Sequence, residues 1–145
     1  MDALKYFNYH KMFDMAFKFQ VISLAWSKEY QMFAVGLDSG DIFVLGYDLV
    51  SMKGFSKQIC FPTVHAKRVM KIVFDEKKFI LYSIGEDKKF ISIDLASEAV
   101  LNKLLLPGNK LTDMIINFKT QQCFVSDKDA SIFVVSLNKK YPELF

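Results

Sequence analysis

Few side chains in this sequence stand at spacings that suit catalysis or ligand binding. Cys60 and His65 lie five residues apart across CFPTVH and pair a thiol with an imidazole. A thiol nucleophile needs a base and an orienting group held together. Cys60 falls in a strand-like linker instead, and a non-catalytic role is the expectation for it. Ser39 sits in Asp-Ser-Gly, not in the strand-to-helix elbow of hydrolases. Gly36 and Gly40 flank a turn with no Gly-Lys-Ser/Thr after them, so no phosphate-cradling loop is expected. Asp38-Ser39-Gly40-Asp41 lacks the further spaced carboxylates of a calcium loop. Asp127-Lys128-Asp129 is too sparse for a metal site and reads as a solvated turn. His10 stands among aromatics with no partner nearby in sequence. No cofactor, metal or catalytic residue is therefore assigned.

Composition narrows the remaining classes. The chain has 145 residues, enough for one domain of average size. Apolar residues make up 52%, and the 15 Phe dominate a large aromatic share, which argues for a real core and against a disordered tail. Net charge is +3, yet Arg68 is the single arginine and the lysines are scattered through turn-like stretches. Nucleic-acid sites favour the planar fork of arginine on one basic patch, so no nucleic-acid partner is expected. No secretory signal is recognisable at Met1-Asp2-Ala3-Leu4-Lys5, and no apolar run approaches the ~18 residues of a membrane span. Two free cysteines, a reduced cytoplasmic setting and no direct membrane binding are the corresponding expectations.

The elements that would carry these side chains are strands. In FAVGLDSGDIFVL, residues 33–45, an apolar run meets Asp38-Ser39-Gly40-Asp41 and a second apolar run follows. Asp bonds its own backbone two residues on, and Gly takes positive φ freely, so a hairpin is expected. The pattern recurs at LYSIGEDKKFISID (81–94) and CFVSDKDASIFVVS (123–136). Ahead of each lies a short segment ending in an aromatic: VISLAW, VMKIVF and DMIINF. Trp26 and Phe74 are 48 apart, as are Ile42 and Phe90; Phe74 to Phe118 is 44, and Phe90 to Ile132 is 42. The slack of two is assigned to the turn between first and second strands.

Self-similarity at this period indicates a repeat architecture of strand, turn, strand, acidic turn, strand. Fourth strands are expected around 56–61, 100–106 and 142–145. Ile22, Leu24 and Trp26 share one face, as do Met70, Ile72 and Phe74, and Met114, Ile116 and Phe118. Val69, Val73 and Ile115 make the second face apolar too, which suits sheets covered on both sides by neighbours. Trp26 is expected in the core. The opening YFNYHKMFDMAFKFQ is compatible with a short helix or with a strand.

These residues resemble WD repeats. The middle copy, LYSIGEDKKFISIDLAS, follows the family's Leu-Ala-Ser-Gly-Ser-Asp-Asp-Gly-Thr-Ile-Lys-Leu-Trp-Asp-Leu run without a gap. Val64-His65 stands where the family has Gly-His. Ser83, Asp87 and Asp94 fall on its Ser, turn Asp and final Asp. The resemblance implies a buried hydrogen-bond network of His65, Ser83 and Asp87, incomplete because Ile93 replaces the Trp. The outer copies depart further: Leu45-Gly46 and Val135-Ser136 replace Trp-Asp, and neither copy has the His. VHAKRVMKIVF and YSIGEDKKF most resemble the propeller of WD-repeat proteins that carry a FYVE zinc finger. Two Cys and two His cannot supply the roughly four ligands per zinc of such a finger, so lipid binding does not follow.

The expected fold is all-β, three four-stranded WD-type blades of an incomplete β-propeller. Residues 1–20 are a lead-in, 21–61 the first blade, 62–106 the second and 107–145 the third. Three blades are fewer than a closed ring of typically seven. A fragment of a larger propeller is the first expectation, supported by the apolar Leu144-Phe145; a ring completed by another subunit, or a compact sandwich, stay open. The implied function is a non-catalytic scaffold for protein partners or further blades. The alternative is an endosome- or membrane-recruited adaptor whose lipid-binding part lies elsewhere. Structural roles go to Asp38, Gly40, His65, Ser83, Asp87 and Asp129, and Arg68 is a candidate partner contact. Contacts are expected from the loops at 27–31, 38–41, 75–78, 86–89 and 127–131.

Overall fold

The computed structural model describes residues 18–47, 55–138 and 142–144, without the side chains of residues 47 and 55–57. His10 and most of the opening aromatic segment lie outside the described residues. Twelve strands run in chain order, and no helix occurs among the described residues. They are β1 (Val21–Ser27), β2 (Met32–Leu37), β3 (Ile42–Tyr47), β4 (Phe55–Phe61), β5 (Val69–Asp75) and β6 (Ile80–Gly85). Then come β7 (Lys89–Asp94), β8 (Ala99–Leu105), β9 (Leu111–Asn117), β10 (Gln122–Asp127), β11 (Ile132–Ser136) and β12 (Glu143–Leu144). They form three antiparallel four-stranded sheets, each a meander of consecutive strands. The sheets do not close on one another, so the architecture is an incomplete β-propeller.

The copies agree down to single backbone conformations. Gln31, Phe79 and Gln121 each take positive φ (52°, 54° and 57°) at the last position of the turn after the first strand. Gly40, Lys88 and Ala130 do the same (91°, 68° and 60°) in the turn after the second. Only Gly40 of these six is a glycine. A Cβ there would run into the carbonyl of His65, so sheet 1 approaches the chain leading into sheet 2 too closely for any other residue.

Two details of the expected alignment are corrected. The turns 28–31, 76–79 and 118–121 have equal length, so no slack falls there. The structural counterpart of Phe74 is Ile116, and Phe118 lies in the turn beyond β9. The physical reason is the residue closing each first strand. Ser27 Oγ accepts the N–H of Tyr30, Asp75 Oδ1 accepts those of Lys77 and Lys78, and Asn117 Oδ1 accepts those of Lys119 and Thr120. These short polar side chains, not the aromatics, fix where the turn begins. The copies change length mainly between third and fourth strands, where residues 48–54 join β3 to β4 but 95–98 join β7 to β8.

Two apolar layers hold the sheets together. Ala34, Ile42, Val44 and Phe61 of sheet 1 pack on Ile72, Phe74, Leu81, Ile91 and Ile93 of sheet 2. Tyr82, Ile84 and Phe90 on the far side of sheet 2 pack on Met114, Cys123, Val125 and Val135 of sheet 3. Sheet 2 is therefore buried on both faces, which is why its strands carry apolar residues at successive positions. The expected grouping of Met70 with Ile72 and Phe74 does not hold. A register shift between Val69 and Lys71 turns Val69 to the sheet 1 side, while Met70 packs with the sheet 3 layer.

The end sheets behave differently from the middle one. Trp26, expected in the core, is 43% exposed and stands outside the layer between sheets 1 and 2, whereas its counterpart Phe74 is buried in that layer. Leu24 beside it is 66% exposed. On the same side of sheet 1, Val35, Leu37 and Leu45 are buried in a third cluster with Phe33 and Phe43. At the other end, Ile115 and Ile132 are 66% and 71% exposed on the outer face of sheet 3.

Candidate functional site

A buried hydrogen-bond network centres on His65, in the segment joining sheet 1 to sheet 2. Its ring is fully buried. Nδ1 lies 2.8 Å from Asp87 Oδ1, and Nε2 lies 2.8 Å from Ser83 Oγ. A carboxylate only accepts, so Nδ1 carries a proton. The His65 backbone N–H also donates to Gly40 O, 3.1 Å away. One residue thus ties the turn of sheet 1 to a strand and a turn of sheet 2. Asp87 Oδ2 further accepts the N–H of Ala66 at 2.9 Å. Burial pushes the Asp87 carboxyl up, but bonding to His65, its charge and the N–H groups of Ala66 and Lys89 outweigh that and hold it below its ordinary value. The site requires Gly85, since a Cβ there would run into His65 Nδ1 and Asp87 Oδ1.

Sheet 3 solves the same problem without a histidine. Pro107 occupies the position equivalent to His65, Val125 that of Ser83, and Asp127 that of Gly85. The Asp127 carboxylate takes over the tether. Oδ2 accepts the N–H of Asn109 at 2.8 Å, and Oδ1 accepts those of Asp129 and Ser131 at 3.0 and 2.9 Å. The bond from Asn109 is the leading cause of its lowered pKa. A Cβ at Gly108 would collide with Asp127 Oδ2, so each tether has its own glycine. Asp129, singled out from sequence, accepts the Asn109 side-chain amide at 3.1 Å. Asp127 was visible in the sequence as part of a turn; its burial was not. In sheet 1, Asp41 Oδ1 accepts the N–H of Thr63 at 2.6 Å.

The other sequence candidates fall as follows. Arg68 is half exposed and bonds Asp38 through Nε at 2.5 Å, with NH1 3.9 Å from Glu86. It bridges the turns of sheets 1 and 2, and Lys110 reaches the same Glu86 from sheet 3 at 3.7 Å. Asp94 caps the next turn, accepting from Ala96 N and Ser97 Oγ. Ile93, where the WD pattern has Trp, is fully buried in the layer between sheets 1 and 2. Cys60 is exposed and Cys123 buried, both as free thiols. The His65 ring nitrogens engage Asp87 and Ser83, not Cys60. No group of three His, Cys, Asp or Glu suited to a metal occurs among the described residues. Among the same residues, no helix is long and apolar enough to cross a membrane.

Where the first strands of the three sheets converge, a pocket of about 280 Å³ opens between Trp26, Phe74, Asp75, Glu76, Lys77, Lys78, Phe118 and Gln121. Sequence reasoning missed it as a site. Its signals were the aromatics near each strand end and the loops 27–31 and 75–78, but only the stacking of sheets brings Trp26 and Phe118 together. Glu76 is spent within it: Oε1 accepts Ser27 Oγ at 2.9 Å and Glu29 N at 3.1 Å. Tyr30 Oη donates to Glu76 O at 2.7 Å. Lys78 Nζ donates to Gln121 Oε1 at 2.8 Å and Leu137 O at 3.1 Å. No protein-family model matches the chain, and no curated protein is similar to it.

Proposed function

We propose that this chain is a WD-repeat-type scaffold segment, non-catalytic, that works by contact with protein partners and with further blades of a larger propeller. The observation that carries the reading is the outer face of sheet 3. Ile115, Phe124, Ile132 and Val134 lie across three neighbouring strands there. Their counterparts in sheet 2 are Val73, Tyr82, Phe90 and Ser92, and the first three pack against sheet 3. The repeat thus specifies a face that an adjoining sheet covers in two copies and leaves bare in the third. Burying each such side chain is worth about 1.5–3 kcal/mol. Ile115 and Ile132 leave most of that unrealised in the isolated chain. The His65–Asp87–Ser83 tether supports the WD assignment, because it joins the residues that the family pattern singles out. Short turns of alternating charge at both ends of the sheets suit protein partners over a uniform polyanion.

Sedimentation velocity of the purified chain tests this. The expected result is concentration-dependent association that the Ile115→Glu/Ile132→Glu double variant abolishes without loss of fold by circular dichroism. A chain that stays monomeric at all concentrations, with a single sharp unfolding transition, refutes it.

A further inference from the structure

We infer that the outer face of sheet 1 is covered by the chain's own opening segment, residues 1–17, with Phe17 seated on Val35 and Leu37 as an apolar plug. The starting point is burial. Val35 and Leu45 alternate along their strands with Ala34 and Val44, which face sheet 2, and so point the other way. Val35, Leu37 and Leu45 are nevertheless 4%, 2% and 2% exposed, and the described residues packed with them, Phe33 and Phe43, belong to sheet 1 itself. A face without a neighbour stays in contact with water, so a further part of the chain lies over β2 and β3. That cover is smaller than a sheet. Ile72 and Phe74 of sheet 2 are buried against sheet 1, but their counterparts Leu24 and Trp26 stay exposed. A single segment covers two strands and leaves β1 bare; a whole blade covers all three.

The repeat names the segment. Asp38 N donates to Gln20 O at 2.9 Å just as Glu86 N donates to Arg68 O at 3.0 Å. Counting back from this shared contact, Phe17 takes the place of His65, and Phe13 and Ala16 take those of Phe61 and Val64. Phe61 and Val64 are buried against sheet 2. The His65 ring bonds Ser83 and lies where a Cβ on Gly85 would point. The sheet 1 counterparts of Ser83 and Gly85 are Val35 and Leu37. Sheet 2 sets an imidazole on a hydroxyl; sheet 1 sets a phenyl ring on two aliphatic side chains. The exchange extends to the turn, where Ser39 stands at the position of Asp87. With no imidazole to bind, no carboxylate is needed there. Residues 48–54, which join β3 to β4, carry no aromatic and are the poorer match to this face.

The arc is thereby capped by its own chain at one end. A further blade can stack on sheet 1 only by displacing the cap, whereas the outer face of sheet 3 is open. This goes beyond the scaffold reading and does not rest on it. The test is a double-mutant cycle on the full chain, read by thermal unfolding. Phe17→Ala should lower Tm by roughly 10 °C, the loss of a buried phenylalanine at this chain length. Combined with Leu37→Ala, it should cost at least about 3 °C less than the two single losses together, because the pair share one contact. Phe17→His, which installs the sheet 2 residue, should lose as much as alanine, since Val35 and Leu37 offer it no hydrogen bond. Phe17→Leu should keep most of the native Tm, and it replaces alanine in the cycle if Phe17→Ala does not fold. A change below about 2 °C for Phe17→Ala, or a Phe17→His chain as stable as the native one, overturns the inference. Additive losses overturn it as well: with a concentration-dependent Tm they give the face to a second copy, and without one to residues 48–54. None of these results turns on association through sheet 3, so the two readings fail separately.

Discussion

Replacing His65 by Ala should be among the most damaging single changes in this protein, and the cost can be worked from its contacts. The ring is fully buried and makes two hydrogen bonds of 2.8 Å. Losing the bond to the Asp87 carboxylate costs about 1.5–3 kcal/mol, and leaving Ser83 Oγ buried without its partner costs about 1–3 kcal/mol more. Asp87 keeps the N–H groups of Ala66 and Lys89, which limits the damage. The total is about 3–5 kcal/mol, and at about 2–4 °C per kcal/mol for a chain near this size Tm should fall by roughly 10 °C. Thermal unfolding by circular dichroism measures this. The sharper test is a double-mutant cycle with Ser83→Ala. Ser83→Ala alone should cost less than His65→Ala, and adding it to His65→Ala should cost almost nothing, because it removes the orphaned hydroxyl. A fall in Tm below about 2 °C for His65→Ala, or additive losses in the cycle, refutes the tether as described.

Gly85→Ala places a methyl against His65 and Asp87 and should cost about 1–3 kcal/mol by overpacking, with part recovered in a His65→Ala background; urea midpoints of the four proteins decide it. Acid should destabilise the fold through Asp87 and Asp127. Both are held below their ordinary value of 3.8, so their stabilisation is present above that pH and is lost as pH falls through the lower folded values. Melting curves from pH 6 to pH 2 should show this loss, and Asp87→Asn should flatten it. Thiol titration at pH 8 should count one reactive cysteine in the native chain and two in denaturant. Cys60 is exposed, although partial burial and Asp41 raise its thiol. Burial pushes Cys123 up to about 12. Rapid modification of both in the native state contradicts the packing of Cys123 between sheets 2 and 3.

Much of the fold was legible because its signals are local. The hairpin at 33–45, its two repeats and the fourth strands near 56–61, 100–106 and 142–145 all follow from apolar runs and turn-forming residues, and the strands stand close to those positions. Misreadings arose where two local signals competed. Phe118 resembled Phe74 as a strand-ending aromatic, but Asn117 caps the turn and ends the strand one residue earlier. Met70 fitted simple alternation with Ile72 until the register shift beside it turned it to the other face. Trp26 matched a buried position of the middle copy, yet on the end sheet it is 43% exposed. Asp127 looked like half of a solvated turn, because nothing in its own sequence tells that Pro107 leaves the histidine position vacant beside it.

The sequence by itself determined what depends on a residue and its near neighbours: strand type, turn position, the period of the repeat and the three-sheet count. Those properties come from backbone preference and side-chain alternation, which act over a few residues. Only the tertiary structure decided which faces are covered, which carboxylate inherits the tether in sheet 3, and that Asp75, Trp26 and Phe118 share one pocket. Burial and partnership between residues some forty positions apart depend on how sheets stack, and stacking is a property of surfaces that no single strand carries.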